Sequence, residues 1–297
     1  MAAPRKHHFI PAFYLAQWAA SNDQLIEWSK PFGSVKPIRR HPNATGFQED
    51  LYTFQSLAPE ARQWFEQTFL KDTDDLASQA LKEIMKGRLD ALSIRQKSAW
   101  VRFIMSLELR HPDVVSEIRE TIEVLWNKHD WFTKAAYEAA RSPIDPLTFN
   151  DYLDKSSPDG QTRAQVDLLV RFMDNLTIGR RIIGMPWAVL DVSTSVEHLL
   201  TSDWPVDLAL GGTPASVTLP ISPTMLFMAC ADESIFEAIS RSNQTEIVRT
   251  INEYVVSHAR RYVFSSDETQ ESLIKNRMSS SMVKPPFFPS FYAAVHR

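Results

Sequence analysis

With a single cysteine, Cys230, the chain has no means of forming an internal disulfide. The thiol lies in the apolar run Met225-Leu226-Phe227-Met228-Ala229-Cys230, where it behaves as a small hydrophobe, and a reducing, cytoplasmic compartment is expected. Glycine is scarce, 8 of 297 residues, which removes collagen-like and linker-rich readings. No apolar run approaches the ~18 residues of a membrane span. The opening Met-Ala-Ala-Pro-Arg-Lys-His-His lacks the apolar stretch of a signal peptide, so no membrane association is expected. Positive charge is also in deficit. A formal net charge of −4 provides no overall cationic field for non-specific nucleic-acid binding. The chain has no Gly-rich phosphate loop, HExxH, GxSxG, CxxC pair or kinase signature, which excludes the enzyme classes those motifs define.

What is abundant is apolar and aromatic: 44% hydrophobic residues, with 8 Trp, 17 Phe and 7 Tyr, enough for a large ordered core. Basic charge concentrates at the start, where Arg5, Lys6, Lys30, Lys36, Arg39 and Arg40 face only Asp23 and Glu27. That segment reads as a solvated face or as a local anion-binding patch. No internal repeat occurs at a solenoid period.

Periodicity divides the chain. Lys6 to Pro11 reads as extended, Ala12 to Ala20 as a short helix, and Leu25 to Trp28 and Asp50 to Phe54 as strands. Helical spacing then takes over from about 58 to 184. Phe65, Phe69, Leu76, Ala80 and Ile84 share a face that stops at Gly87, and Ser93 with Gln96 forms a capping box before Trp100, Phe103, Ile104 and Leu107. Pro112 separates that helix from the stripe Val114, Ile118, Ile122 and Leu125. The polar stretch Ser142 to Gly160 is the best loop, and Val166 to Leu176 forms a further helix ending at Gly184. Short β-prone runs follow over 185–266 around Trp187 to Leu190, His198 to Leu200, Val217 to Leu219 and Met225 to Cys230. An Asn243-capped helix then leads to a closing strand at Arg261 to Phe264. The expected fold is α+β, a helical middle with a mostly antiparallel sheet built from the C-terminal part plus an N-terminal strand. It is read as a single domain over 1–297 with an aromatic tail at 284–297. Trp100, Phe103, Leu107, Ile118, Leu190, Leu219, Phe227 and Ile251 are the expected core.

Several polar residues stand where packing does not call for them. His7 and His8 precede Ile10-Pro11, which holds the backbone extended, so the two imidazoles face opposite ways and one is available to a phosphate, a metal or a proton-transfer site. Ser202 and Asp203 close an apolar run ahead of Pro205, as a turn or as a site. Asn252 falls on the inward stripe of its helix and needs hydrogen-bond partners. Arg260 and Arg261 follow at that helix end, where cations suit the dipole, and Arg110 caps a helix or reaches a carboxylate such as Asp203.

The segments Lys6-His7-His8-Phe9-Ile10-Pro11, Phe13-Tyr14-Leu15, Leu51-Tyr52-Thr53, Leu109-Arg110-His111-Pro112, Thr201-Ser202-Asp203-Trp204-Pro205-Val206, Leu219-Pro220-Ile221-Ser222-Pro223 and Asn252 to Phe264 together resemble the bacterial and phage family called domain of unknown function 4238. The resemblance covers nearly the whole chain, although Trp204 stands where that family usually shows Asn. It implies the domain extent and singles out these residues, and it implies no activity. Two readings follow from the residues themselves. The first is a hydrolase of a phosphate ester or nucleic acid, with His7 or His8 as general acid or base, Asp203 orienting it or binding a metal, and Arg110 or Arg260 receiving an anion near Ser202 and Asn252. The second is a non-catalytic ligand- or partner-binding protein in which the same residues form a structural network. Neither cofactor nor metal identity is specified by the sequence.

Overall fold

A computed structural model describes residues 5–54, 56–57, 61–128, 137–139, 141–149, 151–152 and 159–280. The expected aromatic tail lies outside them. Antiparallel pairs make up three sheets. Strand β1 (Lys6–His8) pairs with β4 (Phe47–Glu49), which sets His8 opposite Phe47. Strands β2 (Leu25–Ser29), β3 (Lys36–Arg40), β6 (Thr201–Ser202) and β10 (Tyr262–Ser265) form a second sheet in the order β3-β2-β10-β6. Strands β5 (Trp187–Asp191), β7 (Asp207–Ala209), β8 (Ser216–Ser222) and β9 (Met225–Cys230) form a third, ordered β5-β9-β8-β7.

The α+β class and the antiparallel pairing match expectation, and the N-terminal strand β2 does join a C-terminal strand, β10. The one anticipated sheet is two. Asp50 to Phe54 is not a strand: Asp50 takes a left-handed backbone, φ 56°, and ends β4 in a turn. Leu199 and Leu200 lie just before β6, and it is Thr201 and Ser202 that pair with β10.

Helix α1 (Ala12–Leu15) starts directly after Pro11 and runs into a 3-10 turn at Ala16–Trp18. Between the sheets' sequence blocks lie α2 (Lys71–Ile84), led in by a π-helical turn at Phe65–Leu70, and α3 (Ile94–Leu109), opened by the Ser93/Gln96 capping box. Next come α4 (Pro112–Lys128), α5 (Gly160–Met173) and α6 (Leu176–Ile183). Pro112 occupies the first position of α4, where a missing N–H is harmless. The C-terminal part adds α7 (Ser234–Ser240), α8 (Gln244–His258) and α9 (Glu271–Arg277). Asn243 caps α8 through the N–H groups of Thr245 and Glu246.

Aromatic packing joins the helices to the sheets. Phe103 lies between Trp100 (5.2 Å), Phe13 (5.1 Å) and Tyr14 (5.8 Å), and Trp100 meets Phe227 of β9 edge-on at 5.5 Å. Polar ties then set the α1 segment against both four-stranded sheets. The buried Tyr14 hydroxyl bonds to the Pro220 carbonyl of β8 and to the Thr201 hydroxyl of β6, each at 2.7 Å. Trp18 Nε1–H donates to the Leu199 carbonyl at 2.8 Å. Six of the expected core residues are buried, whereas Leu190 and Ile251 are partly buried and pack against the rim of smaller clusters. Since Phe103 has no exposed surface and aromatic neighbours on several sides, Phe103→Ala should cost about 3 to 5 kcal/mol in urea unfolding. A loss near zero would contradict this packing.

Candidate functional site

The pleat of β1 separates the two histidines. His7 is buried, stacks on Tyr52 with ring centroids 5.6 Å apart, and accepts the Tyr52 N–H at Nδ1 over 2.8 Å. His8 faces the other way, half-buried against Phe47, and lines a cleft of about 240 Å³ with Phe13, Glu66, Lys71, Asp74 and Asp75. Glu66 comes from the π-helical turn, a distortion often found at functional sites. Beneath the cleft the guanidinium of Arg110, at the end of α3, makes a two-pronged ion pair with Asp74: Nη1 to Oδ2 at 2.9 Å and Nη2 to Oδ1 at 2.6 Å. The Arg110 carbonyl in turn accepts the Tyr52 hydroxyl at 2.7 Å, so one tyrosine ties β1 to the end of α3.

Five buried side-chain polar atoms among the described residues have no hydrogen-bond partner: His8 Nε2, Glu66 Oε2, Arg110 Nε, Trp100 Nε1 and Glu108 Oε1. The first two belong to residues lining this cleft, and the third to the arginine bound to its lining residue Asp74. Buried polar atoms are nearly always paired, so such a concentration calls for an explanation. Their electrostatics are coherent. Burial lowers the pKa of His8, the positive charge of Arg110, Lys6 and His7 lowers it further, and the Asn43 backbone opposes the shift. Burial raises Glu66 to about 7, with Arg110 opposing and Asp74 adding to the rise. Arg110 is pulled down by burial but held above its ordinary value chiefly by Asp74. The cleft therefore holds a neutral imidazole and a carboxyl that titrates near neutrality, the pairing that general acid–base chemistry needs.

The other expected residues converge elsewhere. Asp203 is fully buried and accepts the Arg260 N–H (2.8 Å), the Arg261 N–H (2.7 Å) and His111 Nε2 (3.2 Å). His111 accepts the Asp113 N–H at Nδ1, which leaves its proton on Nε2 for Asp203. The imidazole expected beside Asp203 from β1 is thus supplied by His111. Arg110, for which Asp203 was one expected partner, reaches Asp74 because the α3–α4 corner turns residues 110 and 111 to different sides. Ser202 Oγ accepts the Trp204 N–H in a turn, and the Arg260 guanidinium stacks over the Trp204 ring at 3.8 Å. Asn252 lies fully buried, accepting the Leu200 N–H and donating to the His198 carbonyl and Gln270 Oε1. These bonds make Asn252 a clip between α8 and the approach to β6.

Sequence reasoning therefore missed Glu66, Asp74 and His111. The single trace of Glu66 was its place beside Phe65 at the start of a helical stripe. Asp74 reads in sequence as an ordinary first-turn acid, and His111 stood inside a quoted segment without a role. No group of three His, Cys, Asp or Glu side chains among the described residues is placed to hold a metal ion, and no described helix is long and apolar enough to cross a membrane.

An α+β scaffold carrying a half-buried histidine and a carboxyl near neutrality on one cleft, with an arginine buried behind it, is the class that fold and site define. The chain belongs to the family described as protein of unknown function (DUF4238), whose model matches residues 6–269. No curated protein and no solved structure matches it. The geometry separates a brace from a cleft, and stability should follow suit. Asp203→Ala leaves two backbone N–H groups and an imidazole without their acceptor, at roughly 1 to 3 kcal/mol for each unsatisfied group. His8→Ala removes a ring whose Nε2 bonds to nothing and should cost far less. Equal losses for the two variants in denaturant titration would contradict this division.

Proposed function

We propose that this protein is a hydrolase of phosphate esters that works at the His8–Glu66 cleft. The observation that carries the reading is that unpartnered His8 Nε2 and Glu66 Oε2 belong to residues lining one cleft, with Arg110, its Nε also unpartnered, buried behind the Asp74 that lines it. In this reading His8, neutral at physiological pH, takes a proton from a water as its oxygen bonds to phosphorus. Protonated Glu66 gives its proton to the ester oxygen as the bond from that oxygen to phosphorus breaks. Exchange with solvent then returns each group to its starting state. Arg110 supplies positive charge where negative charge builds, with two of its nitrogens committed to Asp74. The positive surroundings of His8 favour a phosphoryl group on that side. Asp74 and Asp75 on the opposite wall disfavour a polyanion filling the whole cleft, so a single phosphate group, such as the end of a nucleic acid, fits better than a duplex. Asp203, Ser202, Arg260 and Asn252 act in this reading as the brace behind the site, and His7 positions Tyr52.

The rival reading is a non-catalytic binding protein in which all these polar groups serve structure. What favours it is the full engagement of Asp203 and Asn252 by protein partners. We also propose that residues 1–297 act as one folding unit, supported by the pairing of β2 with β10, and that the protein works in the cytoplasm, supported by its lone buried thiol.

The test is turnover of p-nitrophenyl phosphate and of a 5′-phosphorylated oligonucleotide. His8→Ala should reduce turnover of both by about 100-fold or more. Glu66→Gln should impair the oligonucleotide far more, since p-nitrophenolate leaves without a proton. The sign of the pH dependence follows from the two shifts: activity rises as pH climbs through His8, below its ordinary value, and falls as Glu66 ionises near 7. Glu66→Gln should lack the alkaline fall. A parent protein that turns over neither substrate, while Asp203→Ala simply unfolds it, would support the binding-protein reading instead.

A further inference from the structure

The basic N-terminal segment is not used by the cleft chemistry, and its placement is specific. Between Glu27 and Glu49 the chain has no carboxylate, yet it carries Lys30, Lys36, Arg39 and Arg40 in a protein whose net charge is −4. These residues form the β2–β3 hairpin and its edge strand β3, exposed along its whole length. At the hairpin tip Phe32 is fully exposed, at 104%, and sits in the left-handed backbone region at φ 57°, beside Gly33 at φ 86°. A phenylalanine held in that region is uncommon, and it puts an apolar ring fully into solvent. Pro37 and the charges of β3 are explained in part as protection of an open sheet edge against other strands. Edge protection does not account for Phe32.

The other end of β3 leads to the cleft. His41 follows directly and lines, with Ala12, Phe13, Ala16, Asp23 and Asn43, a second depression of about 290 Å³. That depression shares Ala12 and Phe13 with the wall of the His8 cleft. His41 accepts the Asn43 N–H at Nδ1, which leaves its Nε2–H as a donor. A continuous line therefore runs from an exposed aromatic tip, along a strand on which Lys36 and Arg40 share one face, past His41 to the cleft. Arg39, on the other face of β3, pairs with Glu268.

We propose that the β2–β3 hairpin is a track for single-stranded nucleic acid, which stacks a base on Phe32, lays phosphates against Lys36 and Arg40, and brings its terminal phosphate to His8. This rests on the reading of the cleft as a phosphate-ester site and names the substrate class. The linear arrangement favours a polymer over a membrane. β3 alone spans roughly 16 Å at its rise per residue, so a flat bilayer touching the tip ring would leave Arg40 out of reach when the hairpin stands upright. A flexible strand carries both exposed bases for stacking and regularly spaced phosphates.

Fluorescence anisotropy of a labelled 15-nucleotide oligothymidylate tests this on the full chain. Binding should weaken as salt rises, and Phe32→Ala, which alters only an exposed ring, should weaken it by roughly 5- to 100-fold with an unchanged melting temperature. Lys36→Ala with Arg40→Ala should weaken binding and flatten its salt dependence. Anisotropy reads binding and p-nitrophenyl phosphate turnover reads cleavage, so the two are measured separately. If hairpin-dependent binding holds while no phosphate ester is cleaved, the hydrolase reading fails and the track stands. The track is overturned if the parent does not bind the probe, if Phe32→Ala binds as tightly as the parent, if a 15-base-pair duplex binds equally well, or if phosphatidylserine vesicles bind through Phe32 and the oligonucleotide does not.

Discussion

The buried ion pair between Arg110 and Asp74 is the interaction on which the cleft depends. A guanidinium with no exposed surface loses several kcal/mol of hydration unless a partner with matching geometry replaces the water, and the two-pronged contact with Asp74 does so. Because Asp74 takes both terminal nitrogens, Glu66 is left near the cation without a direct bond to it. Burial then dominates and holds the Glu66 carboxyl at about 7. Burial depresses His8 in turn, and the same cation adds to that shift. Burial thus raises a carboxyl and lowers an imidazole on the walls of the same cleft, with the salt bridge beneath them setting which partner the cation takes.

The corner Leu109-Arg110-His111-Pro112 distributes this chemistry. With Pro112 opening α4, Arg110 turns to Asp74, while His111 turns to Asp203 and the turn that carries Arg260 and Arg261. Asp203 fastens the end of α8 and the start of β10 to the same corner. Since β10 pairs with β2, the brace extends through the sheet toward the β2–β3 hairpin. Tyr52 completes the arrangement from the other direction, stacking on His7 while its hydroxyl bonds the Arg110 carbonyl. Rigid support of this kind is what a site needs if its reacting groups are to keep their geometry.

Much of the local structure was legible in the residues. The Ser93/Gln96 box, the Asn243 cap, the break at Pro112 and the stripe of α3 each state a short-range rule, and each appears in the fold. Asp50 illustrates where such rules stop: the alternation around Tyr52 suggests a strand, but the left-handed backbone at Asp50 turns the chain so that Tyr52 packs between His7 and Phe65. The residues of the site were half legible. His8, Arg110 and Asp203 stood out as polar groups near rigid or apolar surroundings, but which carboxylate meets which cation depends on pairings across large sequence separations.

By itself the sequence determined the α+β class, the helical middle, the opposite facing of His7 and His8 and the concentration of basic charge before residue 45, because all of these follow from periodicity, capping, pleat and composition along a continuous stretch of chain. Only the tertiary structure decided that the strands divide into two four-stranded sheets, that Arg110 pairs with Asp74 and His111 with Asp203, and that Glu66 shares a cleft with His8. Those outcomes depend on burial and on contacts between distant segments. A carboxylate's pKa and a guanidinium's partner are properties of the surrounding dielectric and neighbours, and no stretch of sequence read alone contains them.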